Sequence, residues 1–434
     1  MGWGTRPEAM TLDVALGHIS RQRVLETCAS LVNIASPTGD ERPLAEHIVG
    51  LLQRAGIDGR LMPIDDRMAN AWGRLPARGP NAGRGPTVML YSPLDTVTSG
   101  DEDDAPWVAD RIDGHLRTNA VVNGKRVIGL GAQNPKGHAA AVIEAATALS
   151  ETELAGDVIV AFGAGGMPTN ARRDDSDPLH RRHTGQGVGA SYLLEQGVWA
   201  DAAIIAKSGW FVQHEEVGIA WSGITVRGTH TYVGAKHRLP YRNPIADAAR
   251  VVLHLEEWFA KRTDQTGSLE PQAMVASLHS GWERMAAFLP AVAILRVDQR
   301  LLPDTSPLDA HRALVAELSR LIDVDLSAEL VLAILGSRTP PDHWICAAGR
   351  RAWEAIEQRQ HVEPTGQSGA TDANILRNRG IPTMRIGLPK VLVAGEELGF
   401  AEGMNTVDAT SMTTLAELLV RTVVDVCNRD RGDL

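Results

Sequence analysis

The stretch TVMLYSPLDTV, residues 87–97, sets the fold. Behind Thr87 the residues 88–91 are apolar without alternation, as expected of a short strand buried on both faces, and such strands belong to parallel sheets covered by helices on each side. Two further runs have the same character, DVIVAF at 157–162 and AAIIA at 202–206. An alanine-rich segment at 136–149 and another segment at 187–196 read as helices between them. Upstream, the apolar stripes Val24, Leu25, Cys28, Leu31, Val32 and Leu44, Ile48, Leu51, Leu52 have helical spacing, with a cap expected at Gly39 and Asp40 and a stop at Gly56. Downstream, GIPTMRIG at 380–387 resumes the alternation, and residues 409–427 read as a closing helix. The whole predicts an α/β fold with a mostly parallel sheet flanked by helices.

The pattern changes near residue 213. An extended stretch through Ile219, Trp221, Ile224 and Val226 leads to a helix at 244–261, strands at 272–279 and 291–301, a helix at 307–321 and a strand at 329–334. This β-α-β-β-α-β order is that of a small two-layer domain. Residues 213–330 are therefore expected as a domain inserted into a discontinuous larger one, 1–212 plus 331–434. The polar segment 168–186, with Asp174, Asp175, Asp177 and several arginines, reads as a solvated loop.

Composition narrows the function. In 434 residues, 43 basic and 53 acidic side chains give a net charge of −10, which argues against nucleic acid or an anionic membrane surface as partner. The three cysteines, Cys28, Cys346 and Cys427, are far apart and suit a reducing cytoplasm better than a disulfide scaffold or a zinc knuckle. No apolar run is long enough to span a membrane, and the N-terminus lacks the pattern of a secretory signal. Only six residues are lysine: Lys125, Lys136, Lys207, Lys236, Lys261 and Lys390.

Four local blocks, SLVNIASPTGDE at 30–41, YSPLDTV at 91–97, GLGAQNPKG at 129–137 and GATDAN at 369–374, together with the domain order, resemble the dinuclear zinc hydrolases that include succinyl-diaminopimelate desuccinylase, acetylornithine deacetylase, aminoacylase and glutamate carboxypeptidase. The second block is similar to that family's G-H-x-D-x-V strand end, the third to its G-R-G-A-x-D-x-K-G loop and the fourth to its G-x-S/T-D-A turn. The resemblance covers nearly the whole chain. It implies a zinc-exopeptidase-like sheet with an inserted ferredoxin-like dimerisation domain, a homodimer joined through that domain with Trp221 and Trp258 as contacts, and hydrolysis of an amide-type C–N bond. In that family two zinc ions about 3.5 Å apart polarise the amide carbonyl and activate a bridging water while a glutamate takes the proton.

The residues this chemistry requires are absent. Ligands must be imidazole or carboxylate, yet the resemblance places the first histidine on Pro93 and the bridging aspartate on Asn134. The glutamate pair falls on Gly166 and Met167, the next acid on Lys207 and the last histidine on Met404. Flanking residues keep their offsets: Asp95, Val97, Lys136, Gly137, Asp201 and Asp408. His138, His180, His183, His230 and His237 form no alternative metal motif, so the chain is expected to carry no metal and no other cofactor. Lys207, close to Asp95 and, by the resemblance, to Asn134 and Asp372, is expected to supply in an ion pair the positive charge that a metal would supply.

Three readings follow. In the first, the chain is a metal-independent hydrolase of a C–N bond in a small polar substrate. Lys207 polarises a carbonyl or acts as nucleophile or base, Asp95 orients it, and His138 or Tyr232 moves protons. Tyr232 stands four residues after Gly228, where the resemblance implies a histidine reaching a neighbouring subunit's site. Arg300, in DQRLLP, matches an arginine that binds a substrate carboxylate, with Asn134 and Asp372 as further substrate contacts. In the second reading the chain is a non-catalytic descendant binding a small ligand or a partner in the old cleft. In the third it is a metal-dependent peptidase with cryptic ligands. A placed lysine in a lysine-poor chain tips the balance toward the first.

Overall fold

The computed structural model describes residues 7–169, 185–262, 266–393 and 395–433. The chain forms two compact units, Met1–His214 with Thr339–Glu363 and Thr371–Leu434, and Glu215–Arg338 with Pro364–Ala370. Most of the polar segment 168–186, including His180 and His183, lies outside the described residues.

The first unit is built on a six-stranded sheet. Strands Val158–Gly163, Val88–Pro93, Ala202–Ala206 and Thr383–Ile386 run parallel in that spatial order. Side chains alternate between two cores: Val88, Leu90, Val160, Ile204 and Ile386 enter one, while Met89, Tyr91, Ile159, Ala161 and Ile205 enter the other. Burial of both faces is why the sequence runs are apolar without a period of two. The larger core is closed by helices Arg21–Val32, Arg42–Arg54, Lys136–Leu149, Trp344–Glu357 and Ala409–Cys427, and the smaller by Val188–Glu195 and Ala373–Asn378.

Two strands escape the sequence reading. Asp58–Pro63 and Ala69–Leu75 form a hairpin that adds antiparallel strands beside Val158–Gly163. The hairpin sequences DGRLMP and ANAWGRL lack the β-branched residues that mark strands. The helix Pro7–Gly17 was likewise not anticipated.

The second unit has the expected β-α-β-β-α-β order: Gly218–Arg227, Pro244–Ala260, Ala273–Ser280, Val292–Leu301, Pro307–Leu318 and Leu326–Ile334. The four strands pair antiparallel, with Val292–Leu301 and Gly218–Arg227 central. Ile224, Val226, Val251, Leu255, Leu295, Val297 and Leu314 make its core, on which Trp258 packs. The unit extends past residue 330 because its last long strand pairs with Gly218–Arg227 and Ser337–Arg338 pairs with Glu215–Glu216. Gln367 joins it through backbone hydrogen bonds with Ser268 and Glu270. Among the described residues no helix is long and apolar enough to cross a membrane.

Candidate active site

The carboxyl ends of parallel strands are where open α/β sheets bind ligands, and the residues singled out in the first unit gather there. Strand Val88–Pro93 delivers Asp95 two residues past its end, fully buried. Its Oδ1 accepts from the Gly166 amide at 3.1 Å, and its Oδ2 accepts from the Met167 amide and the Thr38 hydroxyl, both at 2.7 Å. The two positions that would bear the glutamate pair thus hold Asp95 through their backbone instead. Gly166 has no room for more: a Cβ there would lie 2.7 Å from Pro93 Cβ, 2.9 Å from Asp95 Oδ1 and 3.2 Å from Asp372 Oδ2.

Two residues that sequence reasoning missed complete this cluster. Glu41 is fully buried, and its Oε1 accepts from the amides of Gly39 at 3.0 Å and Gly165 at 2.8 Å. Burial and the neighbouring Asp95 charge push its carboxyl up to about 8. Tyr91 donates its hydroxyl to Asp372 Oδ2 at 2.5 Å, and burial with that carboxylate raises its phenol well above the ordinary value. The contact depends on Gly163, where a Cβ would stand 1.8 Å from the Tyr91 hydroxyl. Glu41 closes the first block of the resemblance and Tyr91 opens the second, but nothing in those motifs signals that one accepts from Gly165 and the other reaches Asp372.

Lys207 follows strand Ala202–Ala206 and is 8% exposed, so it does not extend into solvent. Of the two carboxylates expected to pair with it, Asp95 accepts from three donors and Asp372 accepts from the Tyr91 hydroxyl. Lys207 acts on His138. That imidazole is fully buried, its Nε2 accepts from the Leu388 amide at 3.4 Å, and burial, with the Lys207 and Arg385 charges, drives its pKa down to about 3. His138 is therefore held in its neutral form at physiological pH. Asn134 lies one helical turn before it and donates to Met404 Sδ at 3.7 Å, and the Asn134 amide donates to the Met404 carbonyl at 3.1 Å. The aspartate and histidine positions of the resemblance are thus neighbours in space, filled by an amide and a thioether.

The remaining candidates make the following contacts. Arg300 grips Asp298 with two hydrogen bonds of 2.8 and 2.9 Å and donates to the Ser368 carbonyl at 3.4 Å, so its guanidinium is committed within the second unit. Tyr232, also in that unit, is half-exposed with its ring 5.5 Å from Phe288. Asp408 caps helix Ala409–Cys427 by accepting from the Ser411 amide, and Asp201 accepts from the Thr87 amide at the opposite end of the strands.

A dinuclear zinc centre does not fit these residues. Among the described residues no three His, Cys, Asp or Glu side chains converge as a metal site requires. Proline, glycine, methionine and lysine stand at the positions from which ligands would come, and Asp95 already has three hydrogen-bond donors.

A mostly parallel sheet between helical layers, with a second antiparallel α+β unit carried in the same chain, is the architecture of the M20 peptidases. The chain superposes on the di-peptidase Dug1p of Saccharomyces cerevisiae with a TM-score of 0.71 at 11% identity, over 96% of this chain and 99% of that one. It matches human carnosine dipeptidase 1 at 0.69 and 14%, over 98% and 100% of the two chains. An M20 family metallo-carboxypeptidase from Sulfolobus solfataricus matches at 0.65 and 14%, over 92% and 98%. No family model matches the sequence. At such identities the likeness establishes the fold, which is the zinc-exopeptidase-like fold expected from the sequence.

Proposed function

We propose that the chain is a divergent hydrolase on the M20 peptidase scaffold, acting on an amide-type C–N bond of a small polar substrate without the dinuclear metal centre. The observation that carries this reading is Lys207, a buried ammonium at the carboxyl end of a parallel strand. A fixed cation in a site of low dielectric stabilises the charge that develops on a carbonyl oxygen under attack. In the same site, Asn134 Oδ1 is buried without a hydrogen-bond partner, a polar atom that suits contact to a bound substrate. Asp95, held rigid by three donors, and Asp372 supply the negative wall of the same site.

The burial of Asp95, Asn134, His138, Lys207 and Asp372 favours a second reading, a non-catalytic descendant that holds a small ligand in the old cleft. We further propose a homodimer through the second unit, whose edge strand Ala273–Ser280 and helix Pro244–Ala260 expose Met274, Leu278, Ile245 and Leu253. A reducing, cytoplasmic setting accords with three free, buried cysteines.

One experiment separates the readings. The purified chain and its Lys207→Met variant are assayed against N-acyl amino acids and dipeptides, with elemental analysis of the same samples. Turnover by the parent at substoichiometric metal, abolished in the variant, is expected. Ligand binding without turnover selects the second reading, and one or two zinc ions per chain with chelator-sensitive activity overturns both.

A further inference from the structure

Three acids, Glu41, Asp95 and Asp372, are buried around the end of one strand, and all three bear on the Tyr91 phenol. Their donors are unequally shared. Asp95 receives three hydrogen bonds, whereas Glu41 receives two on Oε1 and has a buried Oε2 with no hydrogen-bond partner. The amides of Gly165, Gly166 and Met167 are consecutive, the first serving Glu41 and the next two serving Asp95. Successive amides of this kind form an anion-binding nest, and here one nest must hold two carboxyl groups.

Two carboxylates held by one short loop raise each other's pKa, so that ionisation of the second is opposed unless a cation lies between them. Among the described residues the titratable groups that face Glu41 are Asp95 and Tyr91, with Asp372 behind the phenol, and none of these is a cation. On its own segment Asp40 pairs with Arg67, and Arg42 with Glu46. An ionised Glu41 would leave Oε2 as a buried charged oxygen without a donor, while a neutral acid places its hydroxyl hydrogen there.

We propose that Glu41 is a neutral carboxylic acid in the folded protein at neutral pH, and that this retained proton takes the place of a divalent cation in limiting the charge of the Asp95–Asp372 cluster. The inference rests on the metal-free reading of the site, but not on turnover. Burial and the Asp95 charge hold the Glu41 carboxyl in its protonated form through neutrality.

Infrared spectroscopy of the full chain, compared with its Glu41→Gln variant, tests this. A neutral carboxylic carbonyl band is expected at about pH 6, lost by about pH 9.5 and missing at both values from the variant. The variant should melt above the parent at both values and by more at the higher, because the unfolded carboxyl ionises from about 4.5 upward and only the parent must keep its proton on folding. Glu41→Met, which gives the Gly39 and Gly165 amides no acceptor, should melt lower at both. If neither variant folds, the parent labelled with carboxyl-13C glutamate gives the same titration by NMR. The parent is also equilibrated with zinc alone, and no stoichiometric binding is expected. Absence of the band without zinc binding overturns the proton assignment, as does its persistence in Glu41→Gln. Zinc bound with the band intact overturns the metal-free reading, and zinc bound with the band discharged overturns both.

Discussion

Two polar clusters end neighbouring strands of one sheet and are built on opposite plans. Around Asp95 the charge is met by the backbone: two consecutive amides and a hydroxyl at hydrogen-bond distance, in a loop where Gly166 leaves no room for a side chain. Around Lys207, burial together with the charges of Lys207 and Arg385 keeps His138 neutral. The first plan is rigid and short-ranged. The second acts through space.

The rigid side should break hardest. Gly163→Ala places a methyl where the Tyr91 hydroxyl stands, 1.8 Å away. Forcing it into a closed core should cost roughly 3 kcal/mol, read by urea denaturation. Adding Tyr91→Phe removes the colliding oxygen and should recover part of that loss. Equal destabilisation of the single and double variants would show that the clash is relieved elsewhere and that Gly163 does not set the Tyr91–Asp372 contact.

Asp95→Asn sharpens the contrast by keeping shape and changing donors. The amide group offers one acceptor oxygen to the Gly166 and Met167 amides and turns its own NH2 toward the other, leaving a buried N–H without a partner. A loss of about 1–3 kcal/mol is expected near neutral pH. If the variant is as stable as the parent, the nest does not hold Asp95 as an anion.

These partners explain what the sequence could and could not convey. The parallel strands were legible because burial on both faces leaves a continuous apolar run in TVMLY and AAIIA, and the β-α-β-β-α-β order of the second unit was legible from periodicity. The hairpin Asp58–Leu75 was not, since its alanine, glycine and methionine take their strand conformation from the sheet beside them. Within the site, the spacing of the blocks indicated that Asp95, Asn134, Lys207 and Asp372 belong to one locality. It carried no sign that backbone amides would neutralise Asp95, because every residue has an amide and only the loop geometry aims it.

A smaller effect probes a buried cation away from both clusters. Lys136 is fully buried, donates to the Ile34 carbonyl at 2.7 Å, and burial lowers its pKa from 10.5 to about 7. The folded chain therefore releases this proton more readily than the unfolded chain does. Its contribution to stability is fully present above the unfolded value and is lost as pH falls through the folded one, so stability should rise with pH between about 7 and 10.5. Lys136→Met should flatten that slope in denaturation series across the range. A slope unchanged by the substitution would assign it to other groups.

The least effect is expected at Tyr232, and its smallness is informative. The side chain is half-exposed in the second unit, and its ring contact with Phe288 is the one packing interaction that Tyr232→Phe leaves in place. Removing an exposed hydroxyl should change stability by less than about 0.5 kcal/mol. If Tyr232 serves only its own unit, activity or ligand binding should be equally unmoved at every protein concentration. If its hydroxyl instead reaches a neighbouring subunit's site, the defect should grow with the dimer fraction and vanish on dilution to the monomer. Sedimentation and assay of the same dilution series would then show a third plan beside the other two, a proton donor supplied from another chain.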